Sequence, residues 1–289
     1  VIDKKAIKTA RGNFAYRISG NGEAVCMIHG WPESSYCWEG VLNYLGSLPF
    51  QFICPDLRGL GDSERSSELK AYLKQELSLD VLSILDDLKI EYFHLIGHDW
   101  GGIIAQEIAF QFPERVKSLS LLNISVLPNV QGINLAQEKL RASGGRSLWY
   151  QTFMQIPGLA EAMIPEKEEP WLRTFLQSPV PGISFPEDSI AEYVRCLKIE
   201  NSACTSSNYY RSLGGDMKRW AQFAGHIFRM PSMYIYGQYD PVVIPEYLVG
   251  IENCFTQLRI HRLDAGHFVQ EEQAEQVALA IKNFLNSVP

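Results

Sequence analysis

No stretch of this chain restricts its fold more than Gly97-His98-Asp99-Trp100-Gly101-Gly102, which sits between a strand-like run, Tyr92 to Ile96, and a helical pattern starting near Gly101. A chain that turns sharply from strand to helix strains the backbone of the central residue, and bulk two positions before or after it would collide. Glycine at 97 and 101 answers that demand and leaves Asp99 at the apex. The helix N-terminus beside it favours negative charge, so the aspartate is expected to be ionised and held in place. By itself the hexapeptide suits either an N-capping aspartate at an ordinary tight turn or a carboxylate nucleophile.

The rest of the first half fits such a turn. Ala24 to Ile28, Phe50 to Cys54 and Val116 to Leu122 read as further strands. Leu77, Val81, Ile84, Leu85 and Leu88, then Ile104, Ala105, Ile108, Ala109 and Phe112, form the apolar stripes of two helices lying on a sheet. Alternating strands and helices predict an α/β fold with a mainly parallel sheet. Between 128 and 225 the pattern changes to helical pieces split by Pro157, Pro165, Pro170, Pro179, Pro181 and Pro186, with no convincing strand. Strands resume at Ser232 to Tyr236 and Thr256 to Ile260, before a last helix carrying Val277, Ile281, Phe284 and Leu285. The expected organisation is one core, residues 1–127 and 226–289, with a helical cap at 128–225. The 46% hydrophobic content of 289 residues is enough to fill one such core.

Charge narrows the partners. A formal net charge of −7 with no basic run leaves no electrostatic footprint for nucleic acid or anionic lipid. No run approaches the roughly 18 apolar residues of a membrane helix. The N-terminus Val1-Ile2-Asp3-Lys4-Lys5 has no apolar segment of a signal peptide, although a start at Val1 leaves room for a leader removed upstream. Cys26, Cys37, Cys54, Cys196, Cys204 and Cys254 are scattered without C-x-x-C spacing, as small reduced core residues would be. A reducing cytoplasmic setting is therefore expected. The sequon at Asn123 ends a strand and reads as buried and unmodified.

Three further segments fall where a nucleophile at Asp99 needs them. His29-Gly30-Trp31-Pro32 follows a strand, so the Trp31 N–H can stand beside the turn and, with the Trp100 N–H, form an oxyanion hole. Gly237-Gln238-Tyr239-Asp240-Pro241 places Asp240 at a strand's carboxyl end, and Asp264-Ala265-Gly266-His267-Phe268 places His267 in a loop before the last helix. The order Asp99, Asp240, His267 is nucleophile, acid, base. His29, Pro32 and His98 border the turn and are read as shaping the site. His94, His261 and His226 are read as structural, the first in a strand, the second ending one and the third in a helical stretch. No spacing of metal ligands is present, and no cofactor is expected.

Taken together these segments, with Asp56-Leu57-Arg58-Gly59-Leu60-Gly61-Asp62-Ser63, resemble the epoxide hydrolases of the α/β-hydrolase superfamily along essentially the whole chain. The resemblance implies the α/β-hydrolase fold and a cap carrying two tyrosines that grip the epoxide oxygen. Trp149-Tyr150-Gln151-Thr152-Phe153 resembles the segment of the first and Asn208-Tyr209-Tyr210-Arg211 that of the second, matching at Tyr210, with Tyr209 its nearest competitor. It also implies a small hydrophobic epoxide and water as reactants, and a detoxifying role. Asp99 would attack one epoxide carbon, and a water activated by His267 and Asp240 would then hydrolyse the ester to a vicinal diol. Phe153, Met154, Trp171, Leu172, Phe175 and Phe185 are candidate pocket walls. Two other readings stand beside this one. A haloalkane dehalogenase resembles the chain at Asp99-Trp100 but commonly carries asparagine where Trp31 stands. A non-catalytic receptor on the same fold would be free to lose a catalytic partner, and none is lost here.

Overall fold

A computed structural model describes residues 1–46 and 48–288. The strands are β1 (Ile2–Thr9), β2 (Gly12–Gly20), β3 (Glu23–Ile28), β4 (Phe50–Pro55), β5 (Phe93–His98), β6 (Val116–Leu122), β7 (Ser232–Gly237) and β8 (Leu258–Leu263). They form one eight-stranded sheet in the order β1-β2-β4-β3-β5-β6-β7-β8. From β4 to β8 every neighbour is parallel, while β1 and β2 form an antiparallel hairpin joined to β4. The mostly parallel α/β sheet is the one expected.

The hairpin is not foreshadowed by the apolar pattern. β1 is an edge strand with Lys4, Lys5 and Lys8 among its eight residues, and most of it is exposed. Charged side chains are how edge strands avoid further pairing, and they erase the apolar alternation by which a strand is recognised. Two other strands run later than expected. β5 starts at Phe93, because Tyr92 is half exposed, and continues through His98 to the turn itself. β8 covers Leu258–Leu263, so His261 lies within it, and this second edge shows only partial burial.

Helices α1 (Glu39–Leu45), α2 (Lys74–Asp87) and α3 (Trp100–Gln111) follow the first strands, and α11 (Val269–Glu272) and α12 (Ala274–Leu285) close the chain. Side chains along β3 alternate between two cores, as a strand's period of two requires. Cys26 and Ile28 join Leu77, Val81, Leu85, Ile104 and Ile108 under α2 and α3. Val25 and Met27 join Val41, Leu42, Val277, Ile281 and Phe284 under α1 and α12. At about 1.5–3 kcal/mol for each fully buried side chain, these two layers anchor the strand ends that carry the site.

Between β6 and β7 lie α4 (Val130–Ala142), α5 (Trp149–Gln155), α6 (Leu159–Met163), α7 (Glu168–Leu172), α8 (Glu187–Leu197), α9 (Ser202–Arg211) and α10 (Leu213–Trp220), with no strand among the described residues. His226 falls in the loop after this insert rather than in a helix, because Gly225 with its φ of 76° breaks the chain there. Among the described residues no helix is long and apolar enough to cross a membrane. The six cysteines are free, five of them buried and Cys204 partly so.

Candidate active site

β5 delivers the chain to Asp99 at φ 48° and ψ −125°, a conformation a non-glycine residue holds only where its surroundings enforce it. α3 begins at the next residue. The turn closes because a Cβ on Gly97 would collide with the Gly101 carbonyl, and one on Gly101 with the carbonyls of Ile28 and His29. Asp99 does not cap α3: its side chain makes no capping hydrogen bond. It points instead at the loop after β3, where the Trp31 N–H donates to Asp99 Oδ1 at 2.9 Å. Trp100 is the first residue of α3, so its N–H is one of those a helix leaves without a partner of its own.

The other two loops converge on the same carboxylate. His267 Nε2 stands 3.6 Å from Asp99 Oδ2, and His267 Nδ1 is 2.7 Å from Asp240 Oδ2. Asp240 is fixed from behind: its Oδ1 accepts the N–H groups of Val242 at 2.7 Å and Val243 at 3.0 Å. Its Oδ2 also accepts from Asn123 Nδ2 at 2.9 Å. Burial works to raise the Asp99 pKa, but the charge and hydrogen bond of His267, with smaller help from His98 and the Trp31 N–H, prevail and lower it. Burial works to lower the His267 pKa, and Asp240 followed by Asp99 override it and push it well above the ordinary histidine value. The resting pair is therefore a carboxylate facing an imidazolium.

Tyr150 on α5 and Tyr210 on α9 close the site from the insert. Their rings meet edge-on with centroids 5.7 Å apart, and both lean on Trp31, Tyr150 stacked at 5.5 Å and Tyr210 edge-on at 5.5 Å. Burial foremost, with Asp99 contributing, raises both phenol pKa values, so each hydroxyl stays a proton donor across the neutral range. The neighbouring Tyr209 turns the other way and donates to the Arg58 carbonyl at 2.8 Å.

Two cavities, about 390 and 240 Å³, share Asp99, Tyr150, Tyr210 and Val242. The larger runs between Trp100, Leu140, Met217 and Trp220 toward Arg141 and Gln137. The smaller runs between Trp31, Trp149, Phe175 and Phe268 and holds His267. Of the candidate walls, Phe175 faces a cavity, whereas Met154, Leu172 and Phe185 are core side chains. Phe153 and Trp171 are half-buried and pack on one another at 4.9 Å.

His29 and His98 serve the scaffold in different ways. His29 donates from Nδ1 to the Gly30 carbonyl at 2.7 Å and accepts the Leu57 N–H on Nε2 at 3.0 Å, the pattern of a neutral ring. Burial lowers its pKa accordingly. His98 lies between Glu33 Oε2 and the His267 carbonyl, each at 2.9 Å, and so ties the His267 loop to β5. Gln270 donates to the second oxygen of Glu33 at 2.7 Å. Pro32 lies against a separate shallow crevice with Glu33 and Tyr193 and does not reach the cavities. The sequence gives Asn123 no role beyond that of a buried sequon, and gives Glu33 and Gln270 none. Asn123 carried one usable signal, a polar residue directly at the end of an apolar strand.

A family model described as alpha/beta hydrolase fold matches residues 23–274. The chain is 28% identical to an epoxide hydrolase of Caballeronia sordidicola, over 93% of this chain and 89% of that protein. It is 27% identical to epoxide hydrolase 1 of Siraitia grosvenorii, over 98% of each. It is also 27% identical to bifunctional epoxide hydrolase 2 of Sus scrofa, where it spans only 50% of the relative's length. Among solved structures, epoxide hydrolase CorEH superposes with a TM-score of 0.83 at 26% identity over 100% of both chains. A putative acyltransferase from Salmonella enterica reaches 0.90 at 24% identity over 100% of this chain and 96% of that one, a likeness of fold.

Proposed function

The chain belongs to the alpha/beta hydrolase fold family, and on that premise we propose that it is an epoxide hydrolase producing vicinal diols through an ester on Asp99. One observation carries the reading: a carboxylate held by the Trp31 N–H lines both cavities together with the buried tyrosines Tyr150 and Tyr210, with His267 and Asp240 behind it. A strained three-membered ether opens under carboxylate attack when its oxygen meets hydrogen-bond donors as charge develops. Tyr150 and Tyr210 are those donors. The insert 128–225 acts as a cap that brings them over the core formed by 1–127 and 226–289.

Ring opening starts from the Asp99 carboxylate and the His267 imidazolium. It ends with a neutral ester, a hydroxyl on the opened carbon chain and a neutral imidazole, so one proton has moved and charge balances. Loss of the Asp99 charge removes part of what held the proton on His267. His267, oriented by Asp240, then takes a proton from water, which attacks the ester carbonyl, and the N–H groups of Trp31 and Trp100 receive the oxyanion. The two arms of the cavity accommodate a small hydrophobic epoxide with a substituent on either side of the ring.

A haloalkane dehalogenase would use Asp99 in the same way and lean on the indole N–H of Trp100, which is buried and unbonded. The test is turnover of styrene oxide beside 1-bromobutane, following diol and bromide in parallel. Diol without bromide, lost in Asp99→Ala and replaced by a stable ester adduct in intact-mass spectra of His267→Gln, is expected. Bromide without diol would refute the assignment, and so would a His267→Gln protein that never carries an adduct.

A further inference from the structure

Lys74, the first residue of α2, is fully buried. Its Nζ donates to the Tyr209 carbonyl, to Ser212 Oγ at 3.0 Å and to Asp216 Oδ2 at 2.9 Å. Three acceptors around one nitrogen require three N–H groups, the ammonium form. Ser212 Oγ donates its own hydrogen bond to the Tyr72 carbonyl at 3.0 Å, which leaves its lone pairs for the lysine. Asp216 Oδ1 accepts the Lys74 backbone N–H at 2.8 Å. A buried ion pair contributes little net stability after desolvation, so folding alone gives no reason for a charge here.

The position of that charge gives one. Nζ lies 4.2 Å from the centre of the Trp100 ring, over its face. Trp100 in turn meets Tyr210 edge-on, 5.5 Å between centroids at 75°. Its indole N–H is buried without a bonded acceptor. A cation over an indole face is attracted to it, more strongly when both are desolvated, and so holds the ring in place.

Resting on the epoxide reading above, we propose that Lys74 is a positioning residue for ring opening: its ammonium, seated on the face of Trp100 and bonded to the Tyr209 carbonyl, holds Trp100 and Tyr210 in their edge-on contact and so sets Tyr210 for the opening oxygen. Tyr210 donates a hydrogen bond to the opening oxygen only in the first step. Lys74 therefore speeds formation of the Asp99 ester and leaves hydrolysis of the ester unaffected.

The test separates the two steps in single turnovers of styrene oxide with enzyme in excess, quenching in acid and counting ester by intact mass. Lys74→Met strips the charge but strands Asp216 and risks the fold. The decisive variant is Lys74→Gln/Asp216→Asn, which neutralises both partners and keeps hydrogen-bonding groups at both positions. Its ester formation is expected to slow by about tenfold, the scale of a desolvated cation–π contact, while ester hydrolysis and the thermal midpoint stay near native. Unchanged ester formation in the double variant overturns the role of Lys74, and equal slowing of both steps does so too by marking the pair as structural. A native protein that forms no diol would instead overturn the epoxide reading, and this inference with it.

Discussion

Asn123 offers the sharpest test of how His267 is held. It is fully buried at the end of β6, with φ at 40°. Its Nδ2 donates to Asp240 Oδ2 at 2.9 Å and to the Gly266 carbonyl at 2.8 Å, and its Oδ1 accepts the Gly237 N–H at 2.8 Å. One amide thus joins the Asp240 loop, the His267 loop and the end of β7. Asn123→Ala removes three buried hydrogen bonds, each worth about 1 kcal/mol net. It also places a Cβ-bearing residue without a local polar contact in a left-handed conformation, a further cost of about 1 kcal/mol. The expected loss is about 4 kcal/mol, or a drop of about 10 °C in Tm for a chain of this size. Asn123→Gly accepts the backbone conformation and should recover about 1 kcal/mol of it. Urea unfolding of the three proteins measures these differences, and single-turnover ester hydrolysis should slow about ten- to a hundredfold in both variants as His267 loses its alignment. An Asn123→Ala protein destabilised by less than about 1 kcal/mol, or one hydrolysing the ester at the native rate, would refute the argument.

Two further outcomes follow from the same site. Tyr150→Phe and Tyr210→Phe should each lower kcat/KM for an epoxide by about a hundredfold, with ester formation as the affected step; a double variant of near-native rate would mean that neither hydroxyl serves the reaction. Glu271 on α11 accepts hydrogen bonds from Tyr193 and, at 2.9 Å, from Ser189 of α8. Burial, followed by the charge of Glu33, raises its pKa to about 8 from an ordinary value of 4.5. A carboxyl that holds its proton more tightly when folded contributes stability fully below pH 4.5, and loses that contribution as pH rises through about 8. Glu271→Gln should flatten the decline of Tm between pH 5 and 9, and parallel curves for the two proteins would exclude this origin.

The amino-acid sequence alone determined whatever depends on neighbours along the chain. The alternation of apolar runs placed six of the strands to within two or three residues. The glycines at 97 and 101 announced the strained turn, although only the collision Gly97 avoids, with the Gly101 carbonyl, is local; the one Gly101 avoids is with the distant carbonyls of Ile28 and His29. The placement of Asp240 and His267 after strands followed from the same local grammar. What the sequence left open lies in contacts between distant segments. β1 and β2 are strands because they pair with one another and β2 pairs with β4, although three lysines hide the pattern in β1. The choice between Tyr209 and Tyr210 turns on a helix rotation that sends one hydroxyl to Arg58 and the other ring to Trp31. Only the tertiary structure brought Glu33 to Gln270, 237 residues apart, or Lys74 onto the face of Trp100 beneath a helix of the insert. A buried polar side chain reads in the sequence like any surface residue. Whether it faces water or a partner is decided only once the chain has closed around it.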